Sequence, residues 1–214
     1  MAKLVREELE SDVYIRHAIR LGIANHSAIA KRLSSKIRGS EDALKMAVMR
    51  FSKTVEEEYQ GQEEQIRDIL QKTKIALLSN VCVAIFERTP ETEEIAGMLG
   101  SLKIDTYSVL ESQKVILVIT HDEFERAVLE KFGRHNLVKK RGGLCMLRLT
   151  SPPEIEYIPG VVDYILDRLS GNGINFTDLY SCYTDTNLVV ERKDALRAFE
   201  LLEGVCKNNV TTAN

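Results

Sequence analysis

The chain has 214 residues, 44% of them hydrophobic and 29% charged, with a formal net charge of -3. At about 150 residues per domain this length allows one or two domains, and the composition excludes disordered, collagen-like and fibrous chains. No apolar run reaches the ~18 residues that cross a bilayer and the start MAKLVREELESD is too charged for a secretion signal, so a cytoplasmic protein with no membrane partner is expected.

The first seventy residues read as helical. Ser11 and Asp12 cap a helix with Val13, Ile15, Ala18, Ile19 and Leu21 on its apolar face, stopped by Gly22. Asn25 or Ser27 caps a second helix carrying Ala28, Ile29, Ala30, Leu33 and Ile37, and Ser40-Glu41-Asp42 caps a third with Leu44, Ala47, Val48 and Phe51. Residues 1–50 hold 10 Lys/Arg against 6 Asp/Glu, a modest pointer to a polyanionic partner. The expected division is a three-helix domain over 1–53 and a polar helical linker over 54–73.

From Lys74 the pattern changes to short β-rich runs alternating with amphipathic helices. Residues 75–86 form one apolar run, with Ser79-Asn80 as a candidate turn. Then come a helix over 91–102, strands over 104–110 and 115–120, and a helix over 122–132. The same order recurs as strand 144–150, helix 159–169, strands 174–179 and 187–191, and helix 193–203. Arg126-Ala127 matches Arg197-Ala198 at an offset of 71, and Ile104 meets Ile174 at 70. The expected fold class is α+β: the helical domain, then two tandem βαββαβ ferredoxin-like units over 74–141 and 142–206, with 207–214 as a tail. Leu137–Lys140 is a candidate fourth strand of the first unit.

Within the second unit, Ile158-Pro159-Gly160-Val161-Val162, Ile165-Leu166-Asp167-Arg168-Leu169, Gly173-Ile174-Asn175-Phe176 and Arg192-Lys193-Asp194-Ala195 resemble the ACT domain, a small regulatory module that binds amino acids, most closely the kind carried by aspartokinases. The likeness covers 143–204. In the first unit Lys103 stands where Gly173 stands and no Pro-Gly opens the first helix. The resemblance implies paired sheets, within a chain or across a dimer, with ligand at the interface.

The residues carry a physical reading of their own. Pro159 starts a helix at no cost in hydrogen bonds, and Gly160 admits a ligand to a first turn whose amides and dipole favour a carboxylate. The expected ligand site is Ile158, Pro159, Gly160 and Val161, with Asn175 or Asp178 accepting from an ammonium. Cys82, Cys145, Cys182 and Cys206 stand far apart, which fits reduced thiols and no metal, and no cofactor is expected. Neither GxSxG nor HExxH occurs, and Gly142-Gly143 leads into a strand, the reverse of a phosphate loop, so no enzyme is expected.

Lys31, Arg32, Lys36 and Arg38 form a candidate nucleic-acid surface. The stretch Gly22–Leu33 resembles the turn and short helix of winged-helix regulators, although the third helix opens on two acids. The sequence thus reads as a non-enzymatic, amino-acid-responsive regulator, dimeric, with duplex DNA as a candidate partner. A protein interaction module, or a regulatory subunit detached from its enzyme, are the alternatives.

Overall fold

The computed structural model describes residues 1–59, 61–98 and 108–206, which fall into two compact units dividing between Gln65 and Ile66. The first unit is helical: α1 (Ala2–Ser11), α2 (Val13–Arg20), α3 (His26–Ser34) and α4 (Glu41–Tyr59). Helix α1 precedes the three that the sequence led us to expect, and its Val5 and Leu9 join Ile15, Ile19, Leu33 and Leu44 in one buried cluster. Asp12 accepts from the Ile15 amide at 3.1 Å, Asn25 from Ala28 at 3.1 Å and Ser40 from Ala43 at 3.3 Å, so a short polar side chain starts each of α2, α3 and α4. Gly22, at φ 67°, ends α2 in the left-handed region. Val55 is buried in the same cluster, so the helical unit continues past residue 53 into the expected linker.

Helix α5 (Gln62–Lys72) contains the division, and its Ile66, Ile69 and Leu70 pack in the second unit. That unit continues as β1 (Lys74–Glu87), α6 (Pro90–Met98), β2 (Ser108–Glu111), β3 (Val115–His121), α7 (Glu125–Phe132), β4 (Leu137–Thr150), α8 (Val161–Ser170), β5 (Phe176–Cys182), β6 (Asp185–Val190) and α9 (Arg192–Glu203). Residues 99–102 of the expected helix and 104–107 of the expected strand lie outside the described residues. The strands form one six-stranded antiparallel sheet in the order β2-β3-β1-β4-β6-β5.

Strands β1 and β4 are each 14 residues long, and each serves twice. The later part of β1 is flanked by β3 and by the early part of β4, Leu137 to Arg141, which is the expected fourth strand. The later part of β4 is flanked by β6 and by the early part of β1, where Lys74 pairs with Thr150 and Leu78 with Met146. The two halves have the same strand order, but they interleave: the second takes its fourth strand from chain that precedes the first, and residues 141 and 142 lie inside one strand.

Ser79-Asn80 is a bulge within β1 rather than a turn, with Asn80 at φ 58° and Gly143, 63 residues on, at φ 69° in β4. The bulge shifts side-chain alternation by one. Ile75 before it and Ala84 and Phe86 after it therefore face the helices, while Val81 and Val83 face the other way with Ile119, Leu144, Met146 and Val189. That second face is buried although none of the described helices contributes to it. All six strands feed this cluster or pack against it, and the Ser108 hydroxyl of β2 lies 2.8 Å from the Tyr180 hydroxyl of β5, at the opposite edge of the sheet. The sheet is curled upon itself, with the described helices α5 to α9 outside and this cluster inside.

Strand pairing gives the true correspondence of the halves. Cys82 pairs with Thr120 as Cys145 pairs with Val190, and buried Val128 and Phe132 match buried Ala198 and Leu202, an offset of 70 throughout the later elements. The offset of 71 seen in sequence is one residue out, because it matched identical letters and not positions facing the same layer.

Candidate functional site

A 3-10 turn at Pro153–Tyr157 leads from β4 to the start of α8. Gly160 takes the N-cap position at φ 90°, no side chain caps the helix, and the first helical bond runs from the Tyr164 amide to the Gly160 carbonyl at 2.9 Å. Ile158 packs against the core under α8, Pro159 is exposed, and Val161 is buried. A positive φ without a Cβ leaves the first-turn amides open to an approaching group. Tyr157 and Val162, flanking this opening, are exposed apolar residues.

Asn175 and Asp178 are not brought to that opening within one chain. The Ile174 amide donates to the Leu169 carbonyl at 3.1 Å, which fixes the approach to β5 at the C-terminal end of α8. Ten helical residues separate that end from Gly160, or about 15 Å. A register shift sets Phe176 opposite Val190 but Asp178 opposite Val189, so Asp178 faces the inside of the curl. Burial raises its carboxyl, with Arg141 and Lys139 drawing it the other way. Arg141 is engaged in turn, donating to the Thr177 hydroxyl at 3.3 Å and pairing with Glu191.

The corresponding helix start in the first half is closed. The Thr89 amide donates to the Thr92 hydroxyl at 2.8 Å, the Thr92 amide donates to the Thr89 hydroxyl at 3.2 Å, and the Thr92 hydroxyl also reaches the Glu87 carbonyl at 2.8 Å. Thr92 is fully buried. The reciprocal pair does the work of a capping box, with Thr in place of the usual Glu three residues on. The spacing Thr-x-x-Thr around Pro90 was the available sequence signal.

In the helical unit, Lys31, Arg32, Lys36 and Arg38 are all exposed, on α3 and the turn after it. Arg32 lies 2.9 Å from the Asp12 carboxylate, and Lys36 pairs with Glu8. Half of the candidate cluster is therefore already matched by acids from α1 and the α2 cap. His17 is half-buried, with Nδ1 3.3 Å from Arg20. No described helix is long and apolar enough to cross a membrane.

No protein-family model matches the sequence, and no curated protein matches it. Solved structures do. The aspartate kinase of Clostridium acetobutylicum is similar over 62% of this chain and 34% of its own, at 13% identity and a TM-score of 0.52. A structure of aspartokinase alpha and beta subunits matches 62% of this chain and 96% of its own, at 14% identity and a TM-score of 0.50. Aspartokinase III of E. coli, solved with aspartate and ADP, matches 61% of this chain and 32% of its own, at 14% identity and a TM-score of 0.50. The chain spans about a third of the length of the Clostridium enzyme. At these identities what is shared is the fold, and the fold is the ACT type found in aspartokinases.

Proposed function

We propose that the chain is a non-enzymatic regulatory protein whose sheet unit binds a free amino acid at the start of α8. The observation that carries this reading is the asymmetry of two matched helix starts: α6 is sealed by Thr89 and Thr92, whereas α8 opens on Gly160 with no side-chain cap. An α-carboxylate suits such amides and the helix dipole. Since Asn175 follows the C-terminal end of α8 and Asp178 faces the inside of the curl, away from the helices, the ammonium acceptors at this opening come from a second copy, and the exposed Tyr157 and Val162 supply apolar surface for that copy to cover. Kinship of fold with aspartokinases supports the choice of ligand class.

The test is a thermal-shift screen against the twenty amino acids, followed by calorimetry and light scattering with whichever stabilises the protein. Binding coupled to dimerisation, lost in Gly160→Ala and weakened in Asn175→Ala, is the expected result. No shift with any amino acid removes the reading. For the helical unit, the ion pairs Arg32–Asp12 and Lys36–Glu8 favour a protein interaction module over a duplex-DNA surface. Salt-dependent retention of duplex, with a slope that falls by about 0.9 for each lysine or arginine removed among Lys31, Arg32, Lys36 and Arg38, would restore the DNA reading.

A further inference from the structure

We propose that Cys82, Asp122 and Glu125 form a site for one divalent cation of the zinc class, where β1 meets the turn between β3 and α7. The three side chains each offer a ligand atom, and these atoms lie within 4.8 Å of one another. Cys82 is completely buried, while the two carboxylates are half-buried.

A further observation points to a missing partner. Thr120 is the cross-strand partner of Cys82, so its side chain stands beside the thiol on the same face of the sheet. It is 1% exposed, and its hydroxyl has no hydrogen-bond partner. Buried hydroxyls are ordinarily satisfied, and a cation at the trio, or water bound to that cation, would satisfy this one.

The carboxylates are also held in place. Lys140 takes the Glu125 Oε1, leaving Oε2 3.7 Å from the Cys82 sulfur. The Gly143 amide donates to both oxygens of Asp122, at 3.2 and 3.3 Å. A Cβ at residue 142 would meet Asp122 Oδ1 at 3.2 Å and Glu125 Oε2 at 3.3 Å, so a glycine there keeps the space clear. These are the outer contacts that orient ligands in metal sites.

The fold does not require this arrangement. In the second half the matched positions are Cys145, Val190, Arg192 and Ala195, and Arg192 donates instead to Asn80 at 3.1 Å. One thiolate, two carboxylates and a hydroxyl or water make a four-coordinate set with mixed sulfur and oxygen donors, which suits zinc and cobalt rather than magnesium or calcium. Burial, together with Glu125 and Asp122, pushes the Cys82 thiol up to about 12. The same negative surroundings favour a cation. On binding, the thiol proton leaves to solvent as the sulfur–metal bond forms, so affinity rises with pH.

Titration of the reduced, chelator-treated full chain with cobalt(II) tests the site. The expected result is one cobalt per chain with a near-ultraviolet thiolate charge-transfer band, discharged by zinc. The band is absent in Cys82→Ala and retained in Cys182→Ala, which alters the exposed cysteine. Asp122→Asn, on a half-buried turn, lowers affinity by roughly tenfold or more, at least the effect of an outer-shell change. Absence of the band in the wild type, or its persistence in Cys82→Ala, overturns the proposal. Should Cys82→Ala fail to fold by circular dichroism, unchanged affinity in Asp122→Asn overturns it.

Discussion

The two halves of the sheet unit share a strand plan and differ in what they do with their ends. Over their last nine positions β1 and β4 bury and expose the same residues in the same sequence, Ser79 to Glu87 matching Gly142 to Thr150. The chemistry diverges where those strands hand over to helices. One half closes its first helix with threonines and gathers carboxylates at its second; the other leaves its first helix open and carries Arg192 and Ala195 at its second. A repeated fold thus fixes the layers while leaving helix termini free to specialise, because termini are where backbone groups still lack partners.

The largest test of the comparison is in the core. Phe86 and Phe132 stack at 4.4 Å between centroids, both fully buried, and Leu149 holds the position in the second half that Phe86 holds in the first. Phe86→Ala should cost about 3–5 kcal/mol and Leu149→Ala about 2–5 kcal/mol. Because β1 and β4 belong to both halves, urea unfolding followed by circular dichroism should show one transition of the sheet unit shifted in each variant. Two transitions that respond separately would mean that the halves are independent after all.

An intermediate effect separates the two helix starts. Thr92→Val removes a buried hydroxyl that serves the Thr89 amide and the Glu87 carbonyl, at an expected cost of about 1–3 kcal/mol and with amino-acid affinity unchanged. Gly160→Ala forces a Cβ into the left-handed region, costing about 1–2 kcal/mol, and also removes binding. Paired denaturation and calorimetry on the two variants check this. Equal affinity in both would erase the functional difference between the halves.

How far the sequence revealed these features depends on range. Alternation and capping residues made the order of elements legible from Ser11 to Glu203, and Pro159-Gly160 marked the open helix start. Interleaving was invisible, since nothing local to Lys74–Leu78 says that it pairs 68 to 76 positions away rather than with its neighbours. Cys82, Asp122 and Glu125 are similarly hidden, lying some forty residues apart until β1 and β3 pair. Helix α1 is not announced in the sequence, because its start has no side-chain cap. The nearness of Asn175 and Asp178 to Gly160 in sequence carries no information on which end of α8 the chain leaves from or which face of β5 Asp178 takes.

The smallest effect concerns Asp178, whose partner position in the pairing, Val189, is fully buried. Burial raises its folded-state pKa above the unfolded value of about 4. The folded chain then holds a proton that the unfolded chain releases, so stability falls as pH rises through that window and the penalty is complete above it. Asp178→Asn should melt slightly higher than the wild type at pH 7, with the difference vanishing below about pH 4. A variant that melts lower at pH 7 would mean that Arg141 and Lys139 outweigh burial at this position.

The borrowed strand has a consequence for synthesis. Every strand segment of the first half, Val81 to Arg141, has been made before Met146 to Thr150 exists to pair with Lys74–Leu78. A growing chain therefore carries Ile75-Ala76-Leu77-Leu78 as a bare apolar edge while the first half is already complete, and such edges seed intermolecular pairing. The vulnerable interval closes when the ribosome has delivered β4, so slowing translation between Arg141 and Thr150 would lengthen the time in which nascent chains can aggregate.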